Sequence, residues 1–370
     1  MPQPARLITT IAAPLAFSRA DDLPRLEGRP AATRLLVQRG DTELIVQRLE
    51  PSAAAPVVRF PAPWPRLFGE HALSPAGDLA VFTGPHALRA VDSSGSTRWE
   101  LRHRCWADCE GHESAAEYAH DRGYHRYHRS GSASFSADGT LVWAHVRGPL
   151  AHEEPVLGRY TEEWLVIDAG EGTMLARART HTAAAGSDHV PHPDPGQMGL
   201  SIGEGQDGTP LRWGRWDGHA LTVDSLGDED RVLLAVSPSG DRLLTVTHDQ
   251  DTLALHRTAD GTVEAELSAD VIPGHPALEA EQFELFEDDE SRAFFDYEGG
   301  FLDEDTVVVG TTESDEEFGA GRHWLVDTTR MQPAEALVYP FEVSGPPRAL
   351  GDGSWYTLSE TENALHLWTR

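Results

Sequence analysis

The sequence contains only two cysteines, Cys105 and Cys109, in 370 residues. Two thiols so close together cannot cross-link a large fold, so the chain is not a disulfide scaffold. Apolar runs of about 18 residues are missing, and no segment is therefore predicted to span a membrane. The mild apolar run 7–17 is broken by polar residues. We interpret residues 6–12 as a β-strand and not as part of a signal peptide, and we expect a cytoplasmic protein.

Positive charge is also scarce. The sequence has 30 Lys and Arg against 60 Asp and Glu, which gives a formal net charge of -30. An acidic surface repels phosphate backbones and anionic headgroups, so we expect neither nucleic acid nor a membrane surface as a partner. The same surface suits a basic partner or a metal ion. The alternative is that the acidity only keeps the surface solvated.

Helical periodicity is weak, whereas short β-strand patterns separated by turn residues recur along the whole chain. Segment 232–267 shows the unit most clearly, with four predicted strands joined by tight turns at 238–241, 248–251 and 259–261. Two marks repeat elsewhere. One is an apolar residue and Ser before a Gly turn, at 73–78, 135–140 and 236–241; the other is an apolar pair ending in Asp, at 91–92, 167–168, 223–224 and 326–327. Pro sets φ for such turns and Gly accepts positive φ, so antiparallel hairpins are predicted.

With these marks the chain resembles the WD40-like and YVTN-like β-propeller families, although the Gly-His and Trp-Asp signatures of strict WD40 repeats are missing. The resemblance implies an all-β, seven-bladed β-propeller of four-stranded antiparallel blades, with six or eight blades as alternatives. It implies no functional residues. We predict that the N-terminal strand at 6–12 joins the C-terminal blade, which would otherwise have three strands and an open edge.

We predict one domain over residues 1–370 with five long insertions. Blades of this kind normally have loops of two to six residues, so longer segments stand out. Counting strand directions places all five on the same face, which we expect to be the working surface. The alternative is that one face simply tolerates insertions. The insertions are residues 103–131, 148–162, 181–197, 268–292 and 313–322.

The first insertion combines both cysteines with several histidines. Two thiolates and two imidazoles are a common tetrahedral zinc set, and a metal would order a polar loop that has no core. Free thiols, a disulfide and surface histidines are the alternatives. No other cofactor is predicted. The candidate metal ligands are Cys105, Cys109, His112 and His120.

No catalytic residues are predicted. The G-x-S-x-G pattern at 199–203 is not followed by a helical pattern, so we do not interpret it as a nucleophile elbow. The favoured function is a non-catalytic, monomeric scaffold that binds a protein or peptide through the loop-bearing face. The alternatives are a metal-dependent propeller hydrolase or lactonase-like enzyme, and a metal-binding propeller. The predicted partner-binding residues are Trp106, His125, His128, His189, His192, Glu287, Asp288, Asp315 and Glu316.

Overall fold

The computed structural model describes residues 2–15, 23–28, 34–49, 54–106, 131–150, 161–227, 230–279, 293–359 and 361–370. The chain forms two compact units. Unit 1 comprises residues 1–34 and 229–370, and unit 2 comprises residues 35–228. No helix in the described ranges is long and apolar enough to cross a membrane.

Seven sheets, each built on four strands, follow one another along the chain. This is the blade architecture of a β-propeller, and it confirms the predicted fold class. The first sheet contains β3 (Arg25–Glu27), β4 (Arg34–Arg39), β5 (Glu43–Leu49) and β6 (Ala54–Pro61).

Unit 2 holds three further complete sheets. In each of them the strands pair in chain order and antiparallel. The strands are β7 (His71–Leu73), β8 (Leu79–Thr83), β9 (Ala87–Asp92) and β10 (Thr97–Arg102); β11 (Ala133–Phe135), β12 (Leu141–Gly148), β13 (Thr161–Asp168) and β14 (Met174–Arg179); and β15 (Gly186–Pro191), β16 (Gln197–Gly203), β17 (Leu211–Trp216) and β18 (Leu221–Ser225).

Unit 1 holds the last three sheets. Their strands are β19 (Arg231–Val236), β20 (Arg242–Thr247), β21 (Thr252–Arg257) and β22 (Val263–Ser268); β23 (Gly299–Asp303), β24 (Thr306–Gly310), β25 (His323–Asp327) and β26 (Gln332–Val338); and β27 (Ser344–Ala349), β28 (Ser354–Ser359) and β29 (Ala364–Thr369). In the described ranges one short helix, α1, spans Thr312–Asp315, and 3-10 turns span Arg66–Phe68, Gly205–Asp207, Ala269–Val271 and Pro276–Glu279.

The N-terminal segment completes the last sheet, as predicted. Strand β2 (Arg6–Ala12) pairs antiparallel with β29, and the sheet has the order β2-β29-β28-β27. Just before it, β1 (Gln3–Pro4) pairs in parallel with β26 as a fifth strand of the sixth sheet. The backbone N–H of Ala5 continues this pairing with a 2.8 Å hydrogen bond to the carbonyl of Val338.

The repeated Ser-to-Gly mark forms the predicted hairpin turns. In the turn between β7 and β8, the N–H of Gly77 donates to the Ser74 carbonyl over 2.8 Å, and the Ser74 hydroxyl accepts the N–H of Leu79 at 3.1 Å. Gly77 has φ 68°, which a residue with a Cβ adopts only with strain. Equivalent turns begin at Ser136 and Ser237.

Apolar side chains pack between successive sheets within each unit. In unit 2, one cluster joins the second and third sheets and another joins the third and fourth. In unit 1, clusters join the fifth sheet to the sixth and the sixth to the seventh. Five tryptophans in the sheets are 0% exposed: Trp143, Trp164, Trp213, Trp355 and Trp368.

Residues 181–197, predicted as a long insertion, contain strand β15. The fourth sheet therefore begins at Gly186, inside the segment that the sequence analysis interpreted as a long insertion. The segment is rich in Pro and poor in apolar residues, so its strand character was not visible locally. Pairing with β16, from Gly186 opposite Gly203 to Pro191 opposite Met198, holds it extended.

Candidate functional site

The bases of two long segments lie side by side in unit 2. His103 and Leu150 form an isolated antiparallel bridge, and the N–H of Arg104 donates to the carbonyl of Arg147 at 3.0 Å. The guanidinium of Arg147 in turn donates to the carbonyl of Trp106. Segments 103–106 and 147–150 are therefore fastened to each other where the predicted insertions 103–131 and 148–162 begin.

A chain of four hydrogen bonds runs beneath these bases. The indole Nε1 of Trp164 lies 2.9 Å from Nε2 of His189, and Nδ1 of His189 lies 2.8 Å from the Ser132 hydroxyl. Ser132 and Ser187 join their hydroxyls at 2.8 Å, and Ser187 reaches Nδ1 of His145 at 3.0 Å. Together the bonds tie the third sheet to the first strand of the fourth.

The direction of each bond follows from the first donor. The indole N–H of Trp164 only donates, so Nε2 of His189 accepts and its proton sits on Nδ1. Burial, followed by the electrostatic interaction with nearby His145, lowers the pKa of His189 well below its ordinary value, which agrees with a neutral His189 ring. The Ser132 hydroxyl then donates to Ser187, and the Ser187 hydroxyl donates to Nδ1 of His145. Nε2 of His145 faces Glu162, 3.5 Å away.

Glu162 lies at the end of this series of polar contacts, and its carboxylate is the negatively charged member of the series. Its carboxylate accepts the N–H of Ala184 and the hydroxyl of Thr182, both at 2.7 Å. Burial raises the pKa of the Glu162 carboxyl, but bonds from His145, Thr182 and Ala184 outweigh burial and lower the pKa overall. We name the connected set the His145 network; its members are Trp164, His189, Ser132, Ser187, His145 and Glu162.

The order Ser187, His145, Glu162 has the residue types of a nucleophile, a base and an acid. Two observations favour a structural role. The His145 side chain is 0% exposed, and the Ser187 hydroxyl is also bonded to Ser132. The other sequence pattern typical of hydrolases is also structural, because Ser201 lies inside strand β16 and is 5% exposed. The His145 network is therefore best described as a clamp that holds the bases of neighbouring segments.

A comparable clamp lies in unit 1 around the predicted insertion 313–322. Arg322 pairs with Asp315 through two bonds, Nε to Oδ2 at 2.7 Å and Nη2 to Oδ1 at 2.8 Å. The Thr311 hydroxyl donates to the same carboxylate at 2.6 Å and accepts the indole N–H of Trp324 at 3.0 Å. The guanidinium also stacks over the Trp324 ring at 5.1 Å. The segment thus folds back on its own base.

Helix α1 begins this segment, and a distant carboxylate caps it. Asp296 accepts the Thr312 hydroxyl at 2.5 Å and the backbone N–H groups of Thr312 and Glu313 at 3.3 and 3.2 Å. Burial raises the pKa of Asp296 to about 6, because desolvation of the charge outweighs these hydrogen bonds. The start of the segment therefore rests on a carboxyl that titrates close to neutrality.

The segment after β22 is joined to the same base. Nη1 of Arg322 donates to the carbonyl of Pro273 at 2.8 Å, and Nε2 of His275 donates to the carbonyl of Ala320 at 3.0 Å. The N–H of Ala277 donates to the other ring nitrogen of His275 at 3.1 Å, which fixes the tautomer. Within unit 1, the bases of insertions 268–292 and 313–322 therefore converge, whereas a face common to all five insertions stays a prediction.

The structure places few of the predicted site residues at the surface. Cys105 is 3% exposed, and no group of three or more His, Cys, Asp or Glu in the described ranges could hold a metal ion. Among the described partner-binding candidates, Glu316 is exposed, while Trp106, His189, His192 and Asp315 are buried. The remaining candidates lie outside the described residues: Cys109, His112, His120, His125, His128, Glu287 and Asp288.

The burial of these four candidates has identifiable reasons. Trp106 packs in the cluster between the third and fourth sheets, with its ring 5.4 Å from that of His145. His189 is bonded within the network described above. The ring of His192 contacts Trp213 at 5.7 Å, and Asp315 is neutralised by Arg322. Loop composition alone did not reveal these partners.

The sequence interpretation missed His145, Glu162, Asp296 and Arg322. One signal was present. His145 interrupts the apolar run Val142–Val146 in a predicted strand, and a polar side chain on a buried strand needs a partner. The identity of that partner was not predictable, because Glu162 belongs to another strand beyond an insertion of unknown path.

No protein-family model and no curated protein matches the sequence. Solved structures are similar over nearly the whole chain. The WD40 repeats of RRP9 align with a TM-score of 0.51 at 11% identity, covering 98% of this chain and 99% of that one. The Neurospora crassa Pan2 WD40 domain aligns with a TM-score of 0.53 at 11% identity, covering 98% and 94%. BamB from Moraxella catarrhalis gives a TM-score of 0.45 at 12% identity, covering 99% and 100%.

The two WD40 structures show the fold of this chain, a WD40-like β-propeller. The predicted resemblance is confirmed at this level. At 11% identity the likeness extends to the fold alone.

Proposed function

We propose that the protein is a non-catalytic scaffold of the cytoplasm that binds a protein or peptide through its long insertions. The observation that carries the proposal is the fastening of the insertion bases. Segments 103–106, 147–150 and 182–187 are held by buried hydrogen bonds in unit 2, and segments 273–275 and 313–322 are held in unit 1. A rigid frame that presents variable segments is the usual arrangement of a binding surface.

The proposed partner is basic, and not a nucleic acid. The net charge of -30 attracts cationic surfaces over several ångströms and repels phosphate. Glu316 and Glu317 are exposed next to the clamp in unit 1, so acidic side chains stand where the proposed contact lies. Long-range attraction of this kind weakens as salt screens it.

Site-specific photo-crosslinking tests the proposal. A photoreactive phenylalanine at Gln206, in the turn between β16 and β17, samples the insertion end of unit 2, and one at Glu316 samples unit 1. Matched controls are Ser93 and Ala259, exposed turn residues at the opposite ends of strands β9 and β21. Cells that express the protein naturally supply the partner, which mass spectrometry identifies.

Support requires the same protein crosslinked from Gln206 and Glu316 and not from the control positions. The purified partner must then bind in calorimetry, with an affinity that falls as salt rises. Equal crosslinking from Ser93 or Ala259, or binding that salt leaves unchanged, contradicts the proposed surface or the basic character of the partner.

A further inference from the structure

Asp296 holds the first turn of helix α1, and with it the start of segment 312–322. Its carboxylate accepts the Thr312 hydroxyl at 2.5 Å and the backbone N–H groups of Thr312 and Glu313 at 3.3 and 3.2 Å. Asp296 comes from the segment before β23, so the contact joins two parts of unit 1 that are separate in sequence. We name the contact of Asp296 with Thr312 and Glu313 the Asp296 latch.

The latch buries a negative charge that is poorly compensated. Asp296 is 3% exposed, and in the described part of the chain no arginine, lysine or histidine pairs with it. Both backbone N–H bonds lie at the long limit for N–H···O bonds, and Glu313 places a second negative charge beside the carboxylate. A buried charge without a counter-ion is costly, so this geometry favours a neutral carboxyl.

The geometry also accommodates a proton. The 2.5 Å between Oδ2 of Asp296 and the Thr312 hydroxyl oxygen is at the short limit for an O–H···O bond, and either oxygen can supply the proton. A protonated carboxyl that donates to Thr312 still offers Oδ1 to the N–H of Glu313. The neutral form therefore retains both contacts and removes the buried charge.

We propose that the Asp296 latch fastens segment 312–322 in a pH-dependent way: it closes when Asp296 is protonated and loosens when Asp296 ionises. The far end of the segment is held by Arg322, which keeps its positive charge and pairs with Asp315. Loosening therefore frees the first turn of α1, which carries the exposed Glu313, and leaves Arg322 in place. The inference concerns the mobility of this segment and is independent of the proposed scaffold function.

The sign of the effect follows from the two states of the carboxyl. Burial raises the pKa of Asp296 from 3.8 to about 6 in the closed latch, and the pKa returns towards 3.8 when opening exposes the carboxyl to water. The stabilisation of the closed latch is fully present below pH 3.8 and is lost as pH rises to about 6. The population of the open latch is therefore about tenfold larger at pH 7.5 than at pH 5.

Other charged groups lie on the elements packed against the latch. The N–H of Phe295 donates to the Gln250 carbonyl at 2.8 Å, so turn 248–251 contacts the segment before β23, and Pro347 of β27 lies beside Gly310. The histidine among these groups is His248, and replacing it with glutamine separates its contribution. The charged and titratable groups on these elements are Glu313, Asp315, Glu316, Glu317 and Arg322; His248, Asp249 and Asp251; and Glu298 and Arg348.

Hydrogen exchange of the untagged full chain, read by mass spectrometry on a peptide that covers residues 311–318, measures the opening directly. After correction for intrinsic exchange, we expect exchange about tenfold faster at pH 7.5 than at pH 5. Asp296→Asn has no charge at either pH and should remove the difference. Asp327→Asn is the matched control and should leave it unchanged, because Asp327 accepts the N–H and hydroxyl of Thr329 at 2.8 and 2.6 Å in the same sheet but is only half-buried.

Corrected exchange that is equal at the two pH values, or faster at pH 5, overturns the proposal. A difference that persists in Asp296→Asn, or that disappears in His248→Gln, overturns it as well. An equally large difference in strand β24 would assign the effect to unfolding of the whole sheet and would also refute a local latch. The comparison of pH values on the unchanged chain needs no variant, so it decides the matter even if Asp296→Asn does not fold.

Discussion

Replacing Glu162 with alanine should lower the free energy of unfolding by about 3 kcal/mol. The carboxylate is the acceptor for the Ala184 N–H and the Thr182 hydroxyl, and it faces Nε2 of His145. The variant leaves the Ala184 N–H buried without its acceptor, which costs roughly 1–3 kcal/mol. It also removes the carboxylate that lies 3.5 Å from Nε2 of His145. Thr182 is only half-buried, so water partly replaces the lost bond.

Urea denaturation followed by tryptophan fluorescence measures the effect. The expected result is a lower transition midpoint with an unchanged slope, because the variant changes stability and not the area exposed on unfolding. Glu171→Ala is the control, since Glu171 is an exposed acid in the turn after β13 whose side chain has no described partner. A loss below about 0.5 kcal/mol for Glu162→Ala, as for an ordinary surface position, would refute the reasoning.

The pH dependence gives a second check on the same variant. The pKa of Glu162 is lower in the folded chain than its ordinary value of 4.5. The folded state therefore favours the ionised form, and the contribution to stability is present above pH 4.5 and is lost as pH falls through the folded pKa. The difference between the unchanged chain and Glu162→Ala should shrink below pH 4.5, and a difference that grows there would contradict the assigned charge.

Four further predictions concern other residues. The pKa of Asp296 is raised from 3.8 to about 6, so ionisation of this carboxyl destabilises the folded state as pH rises through that window, by roughly 3 kcal/mol at most. Asp296→Asn should remove this part of the dependence of stability on pH. An unchanged stability–pH curve would contradict the raised pKa. Arg322→Lys should lower the free energy of unfolding by about 1–2 kcal/mol, because an ammonium cannot reproduce the two hydrogen bonds of Arg322 to Asp315. A denaturation midpoint that does not shift would show that this ion pair is dispensable for stability. A fluorophosphonate probe should not label Ser187, and stoichiometric labelling lost in Ser187→Ala would instead establish an activated nucleophile. Elemental analysis of untagged protein tests the metal-binding alternative, which predicts stoichiometric zinc that is lost on Cys105→Ser and Cys109→Ser; protein without zinc would contradict that alternative.

Most of the blade pattern could be predicted because it depends on local features. A glycine with positive φ after Ser74 or Ser237 closes a hairpin whatever packs on it, and alternating apolar residues identify the strands on either side. Strand β15 was missed for the complementary reason. Its residues have little strand preference of their own, and only the ladder to β16 and the buried bonds of Ser187 and His189 hold them extended.

The candidate site was predicted less well, since it depends on encounters between distant residues. Trp106 and Asp315 lie in polar segments, which favoured exposure, yet an aromatic cluster covers one and Arg322 neutralises the other. Burial of a single polar side chain is decided by whether a partner arrives with the correct geometry. No rule of local composition contains that information.

The sequence by itself determined the repeated strand pattern, the turns and the joining of the N-terminal strand to the last sheet, because short-range backbone preferences and period-two patterns suffice for each. It also determined the acidity of the chain. Only the tertiary structure decided that Ser132 meets His189, 57 residues away, and that Asp296 caps the helix at Thr312. Those contacts form when packed sheets bring separate strands together, and desolvation then makes each buried polar group depend on a partner from elsewhere in the chain.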